Sequence, residues 1–236
     1  MCGRRVEMAK SKNQISKEKK FKIKVSKNGP YLISGGIPLS EQKIHVDADS
    51  QCHGWEEGQA YPAQENYALC RCGHSQNKPF CDSSHTRNKF DGTETAAHTP
   101  YLEQAAEMKG PDLNLTDAED LCAGARFCHR DGGTWKLTMK SGEPKARQTA
   151  IEEAGDCPSG RLVAWEKNGQ AIEPDFDVSI GLVKDTQAKK MGPLWVRGGI
   201  PVESADGKTY EVRNRVTLCR CGKSANKPFC NGSHLK

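Results

Sequence analysis

A cysteine-rich segment occurs twice in the sequence almost unchanged. Residues 69–85 read LCRCGHSQNKPFCDSSH and residues 218–234 read LCRCGKSANKPFCNGSH, with 13 of the 17 positions identical. Upstream of each lies a second match, GPYLISGGIPL at 29–39 and GPLWVRGGIPV at 192–202, with 6 of 11 identical. Internal similarity of this extent marks a repeated structural unit. The sequence therefore predicts two copies of one small domain.

Each copy has the pattern of a small β-rich lobe. FKIKV alternates apolar and polar residues, a Lys-Asn-Gly turn follows, and GPYLIS or GPLWVR then runs to a Gly-Gly-Ile-Pro corner. The first copy has extra residues at about 40–60, a stretch that contains Cys52, His53 and Trp55. We therefore predict that this stretch is a loop inserted into the first copy.

The region between the copies has helical signals. Thr116 and Glu119 have the capping-box spacing, and Ala118, Leu121, Cys122 and Ala125 follow as one apolar face. This pattern predicts a helix that ends near the glycine pair at 132–133.

A second helix is predicted after it, from Pro144 in the first turn to Ala154, with Gly155 as its stop. RLVAWE, the Asn168–Gly169 turn and QAIEP then predict a hairpin. The expected fold class is α+β, with two β-rich lobes and a mainly helical insert.

The repeated segment has the composition of a metal site. Cysteines spaced C-x-C on an extended strand point to the same face, so each pair can reach one metal atom. A third cysteine follows nine residues later and a histidine four residues after that. The candidate ligands are Cys70, Cys72, Cys81 and His85 in the first copy, and Cys219, Cys221, Cys230 and His234 in the second. Three cysteines and one histidine also suit zinc, although C-x-C is shorter than the usual zinc spacing.

These motifs resemble the CDGSH iron-sulfur family, and the chain looks like a tandem member with a degenerate ferredoxin-like insert. The resemblance implies two 2Fe-2S clusters, with each C-x-C pair on an inner iron and the later cysteine and histidine on an outer one. Single-domain members of the family pair as homodimers. By resemblance, the two copies would form an intramolecular pseudo-dimer, and the chain would be a monomer.

Both copies depart from the family signature at one position. Ser83 stands in place of glycine in the first copy, which would cost about 1 kcal/mol if the position needs a positive φ. Asn231 stands in place of the acidic residue in the second copy. Because removal of a negative charge favours the reduced cluster, we expect the second cluster to have the higher potential.

The insert contains three more cysteines, Cys122, Cys128 and Cys157, of which the last begins a Cys-Pro-Ser-Gly segment. On one continuous helix Cys122 and Cys128 would lie about 120° apart and could not share a metal. They are therefore expected to be buried free thiols rather than ligands. Cys2 and Cys52 have no ligand-spaced partner other than His53.

Charge and composition restrict the class of protein. The net charge is +5, and residues 1–20, with seven Lys or Arg and two Glu, account for all of it. This basic stretch predicts a disordered tail rather than a nucleic-acid site, and Met8 is an alternative start. The chain has no apolar run of membrane length and no secretory signal, and its 11 cysteines are an odd number. We therefore expect a cytoplasmic protein without membrane contact.

The predicted organisation is a tail (1–20), a first lobe (21–98), an insert (99–172) and a second lobe (173–236). A cysteine-to-histidine exchange raises a cluster's potential and leaves a ligand that acid can protonate. The function expected is electron transfer, redox sensing or cluster transfer to a redox or cluster-acceptor protein. The alternative is a zinc-stabilised interaction module. No phosphate-binding loop or nucleophile elbow is present, so an enzyme is not expected.

Overall fold

The computed structural model describes residues 21–47 and 51–236. The predicted basic tail, with Cys2 and Met8, lies outside the described residues. In the described ranges, no helix combines the length and the apolar character that crossing a bilayer requires.

The strands form three sheets. They are β1 (Lys22–Val25), β2 (Tyr31–Ser34), β3 (Leu39–Val46), β4 (Cys52–Ala60), β5 (Asn66–Leu69), β6 (Ala106–Lys109), β7 (Asn114–Asp117), β8 (Leu162–Trp165), β9 (Ala171–Ile172), β10 (Ser179–Asp185), β11 (Lys190–Arg197), β12 (Val202–Glu203) and β13 (Arg215–Leu218). The helices are α1 (Ser84–Arg87), α2 (Tyr101–Gln104), α3 (Thr134–Met139) and α4 (Pro144–Asp156), with 3-10 segments at Glu119–Leu121, Phe127–Gly132 and Ser233–Leu235.

Two of the three sheets contain strands from both copies. The first has the order β12-β1-β2-β5 and the second β13-β11-β10-β3-β4. β1 of the first copy pairs in parallel with β12 of the second, and β10 of the second pairs in parallel with β3 of the first. The exchange is reciprocal, as it is in an interface between two-fold-related units.

The two copies share one hydrophobic core. Its buried members come from both, among them Ile23, Tyr31, Leu69, Leu194 and Leu218. The Tyr31 hydroxyl crosses between the copies and donates to the main-chain oxygens of Cys219 and Pro228 at 2.7 and 3.0 Å. A strand pair and turn at residues 22–34 confirm the pattern predicted for FKIKV and GPYLIS.

The two cysteine motifs also touch through their glycines. Gly73 has φ +81, and a Cβ placed on it would lie 2.8 Å from the main-chain oxygen of Cys221. Gly222 has φ +78, and its Cβ would lie 2.7 Å from the main-chain oxygen of Cys72. Both positions therefore need glycine for its positive φ and for the close approach.

The predicted loop insertion at 40–60 is wrong, because Leu39–Val46 and Cys52–Ala60 pair antiparallel as β3 and β4. β3 continues a sheet that already contains β10, pairing Leu39 with Ile180 and Lys43 with Lys184. The backbone groups of an extended segment beside a sheet edge are satisfied by pairing. Cys52 is 3% exposed in a cluster with Trp55 and Trp195, and His53 Nε2 lies 2.7 Å from a carboxylate oxygen of Asp47.

The first predicted helix of the insert is also wrong. Residues 114–117 form the central strand β7, which pairs with β6 and β8. Thr116 Oγ1 is not a helix cap, because it accepts from Trp165 Nε1 at 2.8 Å and contacts the Tyr101 hydroxyl at 2.9 Å. Short 3-10 segments replace the predicted helix after this strand. The tertiary partners of β7 outweigh the local helical pattern.

The rest of the insert fits the sequence pattern better. α4 begins at Pro144 as predicted but continues through Gly155 to Asp156, and the hairpin around the Asn168–Gly169 turn is present. Ala150 and Ala154 of α4 pack on the insert sheet with Leu115. The insert therefore combines a four-stranded sheet with helices and is not helical throughout.

α4 also buries a carboxyl group. Glu153 is 0% exposed, its Oε2 accepts a 2.6 Å hydrogen bond from Thr134 Oγ1, and its Oε1 has no partner in the described part of the chain. Burial raises the pKa of Glu153 to about 7; the Thr134 bond and Arg130 oppose the shift, and Asp131 and Asp156 add to it.

Candidate metal centres

The C-x-C pair of each copy follows directly after β5 or β13 and has the spacing of two ligands on one metal. The Sγ atoms of Cys70 and Cys72 are 3.8 Å apart, and those of Cys219 and Cys221 are 3.7 Å apart. Two sulfurs bound at about 2.3 Å to a tetrahedral metal lie roughly 3.8 Å from each other. The structure thus brings each predicted pair together.

The later cysteine and histidine form the second pair of each motif. Cys81 Sγ lies 3.4 Å from His85 Nδ1, and Cys230 Sγ lies 3.6 Å from His234 Nδ1. Each histidine sits in a short helical turn that begins three residues after a loop cysteine. The same ring nitrogen faces the sulfur in both copies.

Backbone hydrogen bonds hold the two halves of each motif together. Cys70 N donates to the main-chain oxygen of Pro79 at 2.8 Å, and Cys219 N donates to that of Pro228 at 2.8 Å. The serine of each motif adds a second link, since Ser75 Oγ donates to the main-chain oxygen of Phe80 at 2.7 Å. Ser224 makes the equivalent bond. Both Lys-Pro peptide bonds of the motifs are cis.

Main-chain N–H groups point at the ligand sulfurs. His74 N lies 3.4 Å from Cys72 Sγ, Ser83 N lies 3.4 Å from Cys81 Sγ and Gly232 N lies 3.4 Å from Cys230 Sγ. Such donors stabilise thiolate ligands and the negative charge of a bound metal group. The backbone of these loops therefore favours the thiolate, which is the form of cysteine that binds metal.

Burial keeps several ligand thiols protonated while no metal is bound. It raises the pKa of Cys230 to about 12 and also raises that of Cys72. In the hydrogen-bonded pair of the second copy, the bond from Cys221 lowers the pKa of Cys219 to about 6 and raises that of Cys221. Metal binding must therefore release protons from these sites.

The signature position that differs between the copies has a left-handed backbone in both. Ser83 has φ 66 and Gly232 has φ 78. Because the position has a positive φ, Ser83 bears a conformational cost that a glycine there would avoid.

Exchanging Ser83 for glycine is therefore expected to raise the free energy of unfolding by about 1 kcal/mol. The reciprocal change, Gly232→Ser, is expected to lower it by about the same amount or more, because a Cβ there lies 3.3 Å from the main-chain oxygen of Cys122. Urea unfolding of the two metal-loaded variants beside wild type measures both effects. Equal stability of all three proteins would contradict the argument.

The residue that precedes this position also differs. Asp82 accepts hydrogen bonds from Gln76 N at 2.9 Å and Ser84 N at 3.0 Å, and these bonds lower its pKa. Asn231 accepts from Ser233 in the second copy without bearing a charge. The first copy thus has a fixed negative charge beside Cys81, and the higher potential of the second site stays a prediction.

The outer ligands are enclosed to different degrees. Cys81 is half-buried, and His85 lines an open cavity of about 520 Å³ together with Lys27, Lys89 and Phe90. Cys230 is only 2% exposed, and burial lowers the pKa of His234. The second site is the more enclosed of the two.

Cys128 lies within electrostatic range of Cys122 and Cys157, although in residues 21–47 and 51–236 no three His, Cys, Asp or Glu side chains are close enough to hold one ion. Burial raises the pKa of Cys128 to about 12, and the charges of Cys157 and Cys122 add to this shift. The chain turns at Gly124 (φ 72) and Arg126 (φ 67), so Cys122 and Cys128 are not on one helix. The 120° separation expected on one continuous helix therefore does not apply, and the three thiols are a third candidate ligand group.

This third group adjoins the second motif. A Cβ on Gly124 would lie 2.4 Å from Leu235 Cδ1, and Asn226 Nδ2 donates to the main-chain oxygen of Asp120 at 3.2 Å. The charge of Cys122 also contributes to the raised pKa of Cys230. The loop that contains Cys122 therefore packs directly against the outer ligands of the second site.

Comparison with known protein families gives two matches. The family described as iron-binding zinc finger CDGSH type matches residues 28–86 and again residues 191–235. The family described as divergent 4Fe-4S mono-cluster matches residues 108–167, between them. A search of curated proteins and a search of solved structures returned no match.

The repeated ligand geometry and these matches define an iron-sulfur protein. The chain contains two CDGSH-type regions, one on either side of an insert that matches the divergent 4Fe-4S family. The second match covers the insert cysteines, which the sequence analysis had assigned as free thiols. The Cys-Pro-Ser-Gly segment at 157–160 was the signal that could have identified them.

Proposed function

We propose that the chain is an electron-transfer protein that binds two 2Fe-2S clusters, each on three cysteines and one histidine. Cys70, Cys72, Cys81 and His85 would hold one, and Cys219, Cys221, Cys230 and His234 the other. Such clusters take up and release single electrons. The proposal is supported by ligands arranged in two pairs, as two irons need, and by N–H donors aimed at the sulfurs.

A zinc-stabilised module is the competing interpretation. One zinc ion requires all four ligands around a single centre. Within residues 21–47 and 51–236, no three His, Cys, Asp or Glu side chains are close enough to hold one ion. The geometry therefore favours a two-metal cluster.

We propose a third iron-sulfur group in the insert, held by Cys122, Cys128 and Cys157. Three thiols within a region that matches a 4Fe-4S family support this assignment. Two polar side chains lie close to these cysteines. Ser159 Oγ is 3.5 Å from Cys157 Sγ, and the Arg161 guanidinium donates a hydrogen bond to Asp117 at 2.6 Å. A cluster here would have three protein thiolates and a fourth position that is not cysteine.

The single observation that favours electron transfer is the contact between ligand groups. The Cys122 loop packs on the loop of Cys230 and Leu235, so two metal centres would be neighbours in one chain. Neighbouring centres on fixed elements suit electron movement within the molecule. The open outer edge at Cys81 favours cluster transfer as a second function, because an acceptor protein could reach that ligand.

We also propose that the two copies form an intramolecular pseudo-dimer and that the protein is a monomer. The reciprocal strand pairs β1–β12 and β10–β3 and the reciprocal contacts of Gly73 and Gly222 support this arrangement. The proposed partner is a redox or cluster-acceptor protein in the cytoplasm, and the proposed role is that of a carrier rather than an enzyme.

The test is to measure iron, acid-labile sulfide and the visible spectrum of anaerobically purified protein. A variant with Cys122, Cys128 and Cys157 all changed to serine is expected to hold about four iron and four sulfide, with a 2Fe-2S spectrum. Wild type is expected to hold more iron than this variant. A colourless protein with about two zinc ions would overturn the proposal.

Single-site variants provide the control. Cys81→Ser and Cys230→Ser, each in the background without insert cysteines, are expected to retain about two iron and two sulfide. Loss of all iron in either variant would show that the two sites are not independent.

A further inference from the structure

A cavity of about 260 Å³ lies between the two cysteine motifs. Residues of both copies line it, among them Cys70, Lys78, Met191, Arg220 and Lys223, and none of the lining residues is acidic. Of the candidate ligands, Cys70 and Cys221 lie on its wall, whereas Cys81, His85, Cys230 and His234 do not line it.

Arg220, on the wall of this cavity, has an unused donor. Its side chain is 8% exposed, Nε donates to the main-chain oxygen of Gly192 at 2.6 Å, and Nη2 donates to that of Val183 at 3.0 Å. Nη1 is buried and has no hydrogen-bond partner among the described residues. A buried N–H without an acceptor is costly, so this position favours a ligand that supplies one.

The equivalent arginine of the first copy, Arg71, shows which group can accept from Nη1 at this position. Arg71 donates through Nε to Gly29 O at 2.8 Å, through Nη2 to Ser26 O at 3.0 Å and through Nη1 to Gly92 O at 2.9 Å. Gly92 belongs to the extended stretch that follows the first motif. The third acceptor, absent at Arg220, is thus a main-chain carbonyl of an extended segment.

That segment, residues 90–96, fills the counterpart of the cavity. The Phe90 ring packs on Arg71, with Cζ 5.2 Å from the ring centroid, and a Cβ on Gly222 would lie 3.3 Å from Phe90 Cε2. Gly92 N donates to Asn28 Oδ1 at 3.0 Å. Asn28 and Arg71 align in the repeat with Met191 and Arg220, which line the open cavity.

The far end of the segment pairs with the second motif. Thr95 N and Ala96 N donate to Lys227 O at 2.8 and 2.9 Å, and Thr95 Oγ1 donates to Ala225 O at 2.7 Å. Lys227 aligns with Lys78, which is exposed at the open cavity. The chain therefore fills the position beside Arg71 with its own residues 90–96, and no described residue fills the equivalent position beside Arg220.

We propose that this cavity binds an extended acidic peptide segment of a partner protein. An aromatic residue of the segment would pack on Arg220, as Phe90 packs on Arg71, and a main-chain carbonyl two residues later would accept from Nη1. Acidic residues of the segment would face Lys78 and Lys223, and the internal segment itself contains Asp91 and Glu94. The proposal goes beyond the proposed function and does not depend on which metal the motifs hold.

The test uses the metal-loaded chain and a fluorescent peptide with the sequence of residues 88–97, NKFDGTETAA. Saturable binding of one peptide per chain is expected, with affinity that falls as salt is added. Lys78→Ala and Arg220→Lys are each expected to weaken binding about tenfold, as is exchange of the peptide's Phe for Ala. The matched control, Lys227→Ala, is expected to bind within about twofold of wild type.

Iron content measured on each variant separates loss of the peptide site from loss of the metal sites. Absence of saturation up to millimolar peptide would overturn the proposal, and so would equal weakening by Lys78→Ala and Lys227→Ala. Displacement of the peptide by an equal concentration of inorganic phosphate would assign the cavity to small anions and would also overturn it.

Discussion

Exchanging Gly73 for alanine is expected to lower the free energy of unfolding by about 2–4 kcal/mol, in total. The positive φ of 81 accounts for about 1 kcal/mol of this. The remainder comes from overlap, because the new Cβ would lie 2.8 Å from the main-chain oxygen of Cys221, and backbone atoms of a packed loop cannot move aside cheaply. Urea unfolding followed by tryptophan fluorescence, on protein of verified iron content, measures the change.

Gly207 provides the control for this prediction. It has φ 89, but no atom lies within 4 Å of a Cβ placed on it. Gly207→Ala is therefore expected to cost only the conformational term of about 1 kcal/mol. Equal losses for Gly73→Ala and Gly207→Ala would show that the two motifs are not in contact and would contradict the pseudo-dimer.

Exchanging Glu153 for glutamine is expected to stabilise the protein at neutral and alkaline pH. Burial raises the pKa of this carboxyl from 4.5 to about 7. The folded state therefore holds the proton more tightly than the unfolded chain does. The contribution of the Glu153 carboxyl to the free energy of unfolding is therefore fully present below about pH 4.5 and is lost as pH rises through 7. The total loss is about 3 kcal/mol, of which roughly 1 kcal/mol falls between pH 6 and 8.

The glutamine variant has no charge to bury, so this part of the pH dependence should disappear. The measurement is the difference in unfolding free energy between wild type and Glu153→Gln at several pH values, since proton release by the metal sites is common to both. Glu152, exposed and adjacent, is the control, and Glu152→Gln is expected to change stability by less than about 0.5 kcal/mol at every pH. Parallel pH curves for wild type and Glu153→Gln would contradict the prediction.

Parts of the molecule that depend on local spacing could be predicted from the sequence. The C-x-C pairs, the later cysteine and histidine, and the helix that begins at Pro144 follow from residue types a few positions apart. At Ser83 the sequence indicated only a conditional cost, and the structure supplied the positive φ on which that cost depends.

Predictions that depended on distant partners were less reliable. Thr116 and Glu119 have the capping-box spacing, yet Thr116 lies in strand β7 because β6 and β8 pair with that strand from either side. A loop was predicted at 40–60, yet β3 and β4 form there because β10 offers an edge to β3. Propensity is a weak preference that such tertiary pairing overrides.

The sequence by itself determined the duplication and the eight candidate ligands of the paired motifs, because repeated residues and fixed spacings bring those atoms together within one loop. Only the tertiary structure decided that the Cys122 loop packs on the second motif and that residues 90–96 cover one motif interface while the other stays open. Those arrangements arise from contacts between segments far apart in the chain. Whether such segments meet depends on how the sheets and the insert pack, which local spacing does not encode.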